Sequence, residues 1–108
     1  MPQAGQKANH DSLTESIQHD PISSLPFVQY PGKYWVVEAT GDYYADNQRG
    51  VEYAHAAISA MSQVRFTPLL GWIIADMIKS GDCNGVVIGF MQAISEIATA
   101  DSRKAVLQ

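Results

Sequence analysis

Cysteine and basic residues are both scarce in this sequence of 108 residues. With Cys83 as its single thiol, the chain cannot form an internal disulfide. Lys and Arg total 7 against 11 for Asp and Glu, so the formal net charge at pH 7 is −4. Proteins that bind nucleic acid need a basic stripe, and we therefore expect no nucleic-acid partner.

Long apolar runs and catalytic motifs are missing as well. No stretch reaches the roughly 18 apolar residues of a membrane-spanning helix, and no apolar segment follows Met1 to Lys7 as in a secretory signal. We therefore expect no stable membrane insertion and a cytoplasmic location with a reduced thiol. The sequence has no phosphate-binding glycine loop, dinucleotide fingerprint, nucleophile elbow or paired cysteine motif, so we expect no cofactor and no metal.

Apolar residues nevertheless make up 46% of the chain, which is enough for one hydrophobic core. Residues 1–24 are polar and predict a flexible N-terminal tail. Residues 25–100 predict a single small globular domain, and residues 101–108 a frayed C-terminus.

The part of the domain before residue 40 favours strands. Lys33 to Thr40 is rich in aromatic and β-branched residues, and Pro31-Gly32 predicts a turn that separates it from Leu25 to Tyr30. We expect one or two short strands at about 27–39. The backbone groups of a lone strand need a partner, which residues 27–30, residues 64–66 or a second subunit would supply. A homodimer is therefore expected.

Helical periodicity follows, and it predicts three packed helices at about 43–63, 68–79 and 84–99. The fold class is then α+β, dominated by helix. Gly50 in the first helix and Gly85, Gly89 and Ala93 in the third form stripes of small residues, which indicate close backbone approach to a neighbour. The expected helix-end signals are Asp42 or Asp46, Thr67-Pro68 and Gly81.

Aromatic residues cluster in one part of the chain, and a domain of this size cannot bury them all. Tyrosine and tryptophan are enriched at binding surfaces because they bury a large area and keep a polar tip. The sequence therefore favours a non-enzymatic, regulatory or inhibitor-like protein that binds a basic partner surface. The predicted binding surface consists of Tyr30, Tyr34, Trp35, Tyr43 and Tyr44.

A small acid–base or metal-dependent enzyme is the first alternative. Glu52 and His55 are spaced i, i+3, so on a helix both side chains could reach one metal ion, although the same spacing suits two solvent-facing residues. Asp76 interrupts an apolar stretch; if buried it could act as an acid or base, and if exposed it would pair weakly with Lys79. Glu96 allows the same two interpretations.

A membrane-associated helical hairpin made of residues 68–79 and 84–99 is the second alternative, because both helices are apolar and carry small residues. Each is too short to span a bilayer. Cys83 opens the second of these helices, where a helix N-terminus lowers a thiol pKa, but its neighbour Asp82 acts in the opposite direction. We expect Cys83 to be an unreactive turn residue.

Overall fold

A computed structural model describes the backbone of residues 20–107 and the side chains of residues 20–100. Three helices follow one another along the chain: α1 (Tyr43–Val64), α2 (Leu69–Ser80) and α3 (Gly85–Leu107). They begin and end within a residue of the predicted positions, except that α3 continues past residue 99. Most of the predicted tail, residues 1–19, lies outside the described residues. Residues 20–24 form a turn in which Asp20 accepts a hydrogen bond from the Ile22 amide at 3.1 Å.

The predicted strands at 27–39 are wrong, and so is the α+β class, because residues 20–107 contain no strand. Their β pairing is confined to one isolated antiparallel bridge between Gln29 and Lys33. The amide of each residue donates to the carbonyl of the other, at 2.8 and 3.1 Å. The three residues between them include a cis Tyr30–Pro31 peptide bond and Gly32 with a φ of 73°. The helix-dominated part of the prediction agrees with the structure.

The physical reason for the missing strands lies in the connecting segment, residues 33–41, which leads from the bridge into α1. Side chains of the helices bond three of the residues of this segment, and carbonyl groups of the preceding segment accept from the Lys33 and Val36 amides, so these groups are paired without a strand. Three such contacts are Tyr34 N to Asp76 Oδ2 at 2.7 Å, Thr40 N to Asp46 Oδ2 at 3.0 Å, and Arg49 Nη2 to the Glu38 carbonyl at 2.6 Å.

Local signals account for most of the helix ends. Asp42 caps α1 and accepts from the Ala45 amide at 3.2 Å, and Gly81 ends α2 in the left-handed conformation at φ 73°, as predicted. The predicted cap at Thr67 is wrong by one residue. Pro68 occupies the N-cap of α2 without a side-chain hydrogen bond, because the helix begins only at Leu69.

The α1–α3 interface is built on the small residues that the sequence singles out. A Cβ atom added at Gly50 would overlap the Val86 carbonyl oxygen and lie 2.7 Å from Phe90 N. One added at Gly89 would overlap the carbonyl oxygen of Asn47 and lie 2.9 Å from its carbonyl carbon. A Cβ atom added at Gly85 would lie 3.1 Å from the Tyr43 carbonyl oxygen, so Gly85 and then Gly89 on α3 meet successively later residues of α1. Both helices therefore run in the same direction with their backbones in contact.

The core is closed by the segment that precedes α1. Phe27 is fully buried and its ring lies 5.4 Å from Trp35, 5.0 Å from Tyr53 and 6.2 Å from Phe90. Residues before α1 therefore pack directly over the α1–α3 pair. The other large side chains that are fully buried are Leu69, Ile73, Val86 and Phe90.

Candidate functional site

A row of aromatic rings crosses from the bridge region to α2, and we call it the aromatic row: Tyr30, Tyr34, Trp72 and Phe66. The ring centroids are 6.3 Å apart between Tyr30 and Tyr34, 5.2 Å between Tyr34 and Trp72, and 4.9 Å between Trp72 and Phe66. Tyr30 is 51% exposed and Trp72 is 45% exposed, whereas Tyr34 and Phe66 are half-buried. The rings thus form one continuous surface that reaches solvent.

The chain positions each of these rings by a local backbone feature. Tyr30 opens the loop that the Gln29–Lys33 pair closes. Phe66 follows Arg65, the C-cap residue of α1, and its amide donates to the Met61 carbonyl at 3.1 Å. Trp72 lies in the first turn of α2.

Tyr34 is held from α2 rather than from its own segment. Its amide donates to Asp76 Oδ2 at 2.7 Å, between residues 42 positions apart in sequence. Trp72 lies one helical turn before Asp76, so the same carboxylate that fixes the Tyr34 backbone brings the two rings together. Asp76 therefore acts here as a positioning residue for the aromatic row.

The electrostatics of the row favour a neutral tyrosine beside a carboxylate. The pKa of the Tyr30 hydroxyl is raised above its usual value, first by partial burial and then by the charge of Asp20 and by the neighbouring Tyr34. The Tyr30 hydroxyl therefore keeps its proton at neutral pH and remains a hydrogen-bond donor.

A second anchoring site lies at the start of α1, where Asp46 is only 2% exposed. Burial alone would raise the pKa of its carboxyl. Hydrogen bonds from the Thr40 hydroxyl and from the Thr40 and Gly41 amides, with the Arg49 guanidinium, outweigh that effect and lower the pKa. The Thr40 hydroxyl lies 2.8 Å from Asp46 Oδ1 and Arg49 Nη2 lies 3.4 Å from it. Asp46 therefore fastens the connecting segment to α1.

The structure divides the predicted binding surface into three places. Tyr30 and Tyr34 belong to the aromatic row. Trp35 is 7% exposed and packs in the core against Phe27 and Phe90. Tyr43 and Tyr44 are 58% and 74% exposed at the first turn of α1, and no ring contact joins them to the row within residues 20–100. Sequence neighbours such as Tyr34 and Trp35 thus have opposite environments.

The residues of the enzyme alternative lie on all three helices, with Glu96 exposed on α3. Glu52 and His55 are exposed on α1, while Asp76 on α2 is half-buried and holds the Tyr34 amide. Among residues 20–100 no three His, Cys, Asp or Glu side chains come close enough to hold a metal ion. Cys83 is exposed in the turn between α2 and α3.

An open groove of about 680 Å³ lies along α3, and no residue of the aromatic row lines it. Apolar and polar side chains share its walls, and Met91 within it is 36% exposed. The residues that line the groove are Cys83, Val87, Ile88, Met91, Gln92, Ser95 and Glu96.

Sequence reasoning missed Trp72 and Phe66 as members of the surface. A signal for Trp72 is present, because it lies at the i−4 position from Asp76, on the polar side of an otherwise apolar helix. Phe66 carries no such signal, since it stands alone in a short link between helices. Its place in the row depends on the packing of Trp72 against it.

Comparison with protein-family models, curated proteins and solved structures finds no match to this chain. Within residues 20–107, no helix combines the length and the apolar character that crossing a membrane requires.

Proposed function

We propose that this chain is a small non-enzymatic protein that binds another protein through the aromatic row, as a regulator or inhibitor. The observation that carries this proposal is the continuity of the row. Four rings from the bridge region, the α1–α2 link and α2 lie within 4.9 to 6.3 Å of the next, and two of them are about half exposed. Half-exposed tryptophan and tyrosine are the side chains that contribute most to protein–protein affinity.

The proposed partner presents a basic surface. The chain carries a net charge of −4, and the carboxylates of Asp20 and Asp76 flank the row at Tyr30 and Tyr34. Opposite charge on the partner would accelerate encounter and orient it, while the rings would supply the affinity. Trp35, which the sequence places in the binding surface, is left out because it lies in the core.

A selection from a phage-displayed library of random peptides against the immobilised full chain tests the proposal. We expect enriched peptides with an excess of Lys and Arg that bind the wild-type protein and lose binding to Trp72→Ala. Tyr44→Ala is the matched control, because Tyr44 is a more exposed aromatic residue outside the row. Circular dichroism checks that both variants keep their helices.

The proposal fails if enriched peptides bind Trp72→Ala as well as they bind the wild-type protein. It fails equally if Tyr44→Ala is the variant that loses binding, since the functional surface would then lie at the start of α1. The predicted homodimer is a competing use of the row. Light scattering separates the two, because a dimer that Trp72→Ala converts to a monomer would assign the row to self-association. The cytoplasmic location stays a prediction.

A further inference from the structure

Several backbone groups beside the aromatic row are already hydrogen-bonded within the chain. The amide of Tyr34 is taken by Asp76, and the Gln29 and Lys33 amides and carbonyls bond each other. A peptide that added here as a β-strand, one of the common modes of peptide recognition, would find these groups occupied. Affinity at the row has to come from side chains.

The side chains of the row offer hydrogen-bond donors at their tips. Within residues 20–100 the Tyr30 and Tyr34 hydroxyls and the Trp72 indole nitrogen are engaged in no hydrogen bond of the chain. The ligand that matches such donors is rich in acceptors. A polyproline II segment has no internal hydrogen bonds, so its carbonyl groups remain free to accept, and its prolines bring no competing N–H groups.

The rings also form an uneven surface into which proline side chains can pack. Successive rings are tilted by 72° between Tyr30 and Tyr34, 53° between Tyr34 and Trp72, and 69° between Trp72 and Phe66. Tilted neighbours form ridges and hollows with apolar walls rather than a flat plate. Aromatic surfaces of this kind accept the preformed, low-entropy polyproline helix.

Charge adds a second requirement on the ligand. The charge of Asp20 contributes to the raised pKa of the Tyr30 hydroxyl, and the Asp76 carboxylate accepts a hydrogen bond from the Tyr34 amide. Lys33 in the same turn and Lys79, three residues after Asp76, carry the opposite charge, while the chain as a whole has a net charge of −4. An arginine in the ligand would pair with a carboxylate and stack its planar guanidinium on a ring face.

From these four features we propose that the aromatic row binds a proline-rich segment in the polyproline II conformation that carries arginine or lysine. This inference rests on the proposed function and specifies the partner of the same surface. The occupied backbone groups at Gln29, Lys33 and Tyr34 disfavour a strand-like ligand, and the net negative charge of the chain disfavours an acidic one. The partner presents its prolines to the rings and its basic residue to Asp20 or Asp76.

The test is a titration of the full ¹⁵N-labelled chain with an octaproline peptide that carries an arginine at each end. The two indole N–H signals report separately, because Trp72 is exposed and Trp35 is buried. We expect saturable shifts at Trp72, Tyr30 and Tyr34 with little change at Trp35. Trp72→Ala should weaken binding about tenfold or more. Ile78→Ala, on the same helix but outside the row and 73% exposed, should not.

Two milder variants test the hydroxyl donor and the carboxylate of the row. Two further peptides test the charge and the conformation of the ligand. Tyr30→Phe removes one hydroxyl donor and should weaken binding a few-fold. Asp76→Asn removes charge but keeps an acceptor for the Tyr34 amide, and should do the same. Octaproline with a glutamate at each end should bind at least about tenfold more weakly. An alanine-rich helical peptide with the same two arginines should not bind.

The outcomes separate the two proposals. Equal, row-dependent binding of the helical arginine peptide would overturn the proline inference and leave a basic protein partner standing. Equal binding of the glutamate peptide would overturn the charge requirement. No binding of any peptide, together with a Trp72 shift on neutral phosphatidylcholine vesicles, would overturn the inference in favour of a membrane surface. Failure of the library selection to depend on Trp72 is the separate result that removes the proposed function.

Discussion

The α1–α3 interface and the aromatic row use opposite kinds of residue. At the interface, Gly50 and Gly89 let two backbones touch, so that an added methyl group would overlap carbonyl oxygens. At the row, Tyr30 and Trp72 reach solvent, while Tyr34 and Phe66 pack against the core and the Tyr34 amide bonds Asp76. The first region tolerates no added volume, and the second leaves surface uncovered. We therefore expect stability to reside mainly in the α1–α3 pair, and we propose that binding resides in the row.

The largest expected effect is at the α1–α3 interface. Gly89→Ala should destabilise the protein by about 3 kcal/mol or more, because the new methyl group meets the Asn47 backbone, which is less able to move than a side chain. Urea unfolding followed by circular dichroism measures the change. Gly71→Ala is the matched control. It is also a helical glycine, but nothing lies within 4 Å of its added Cβ. It should stabilise by about 0.5–1 kcal/mol, and a similar loss in both variants would contradict the packing argument.

The next effect concerns the anchor at Asp46 and depends on pH. Because the folded pKa of Asp46 is lowered, the unfolded chain takes up this proton first as the pH falls. The stabilisation is complete above the ordinary aspartate pKa of about 4 and is lost as the pH falls through the folded value. We expect Asp46→Asn to be less stable than the wild type near neutral pH, with the gap closing in acid. A gap that stays constant between about pH 6 and pH 3 would show that the charge of Asp46 is not involved.

A smaller effect is expected where the row is fastened to α2. Asp76→Ala removes the acceptor of the Tyr34 amide and should cost about 1.5–3 kcal/mol, the range for a hydrogen bond to a charged group. Asp76→Asn keeps an acceptor and should cost less than half as much. The thermal unfolding of the two variants measures the difference. If both lose the same stability, the contribution of Asp76 comes from its charge rather than from the hydrogen bond to Tyr34.

The smallest effect on stability is expected in the row itself. Trp72→Ala should change the free energy of unfolding by about 1 kcal/mol or less, because nearly half of the side chain is already in solvent. Trp35→Ala, at a buried tryptophan in the same aromatic region, should cost about 3–5 kcal/mol. Chemical unfolding of the two variants compares them directly. Equal losses would mean that the row is part of the core rather than a surface.

The helices could be predicted from sequence because their signals are local. Asp42 caps α1 and Gly81 ends α2 through contacts within three residues. The glycine spacing of α3 predicts that another backbone packs closely against it, but not which one. The strand prediction failed for a physical reason. β-Branched and aromatic residues favour strands only when another strand takes up their backbone groups, and here Asp46, Asp76 and Arg49 do so instead.

The candidate site could be predicted only in part, for a related reason. A cluster of tyrosine and tryptophan in a small acidic chain indicates an exposed aromatic surface, and Tyr30 and Tyr34 belong to one. The sequence also includes Trp35, which is buried, and omits Trp72, which completes the row. Exposure depends on neighbours distant in the chain, and residue type alone does not specify them.

The amino-acid sequence by itself determined the three helices, most of their ends and the small-residue faces, since each follows from propensity, capping and spacing over a few residues. Tertiary structure alone decided that α1 and α3 run in the same direction and that the connecting segment is fastened by carboxylates. It also decided which rings stay in solvent. Contacts such as Asp76 with Tyr34 join residues 42 positions apart, and no local pattern encodes a pairing at that distance.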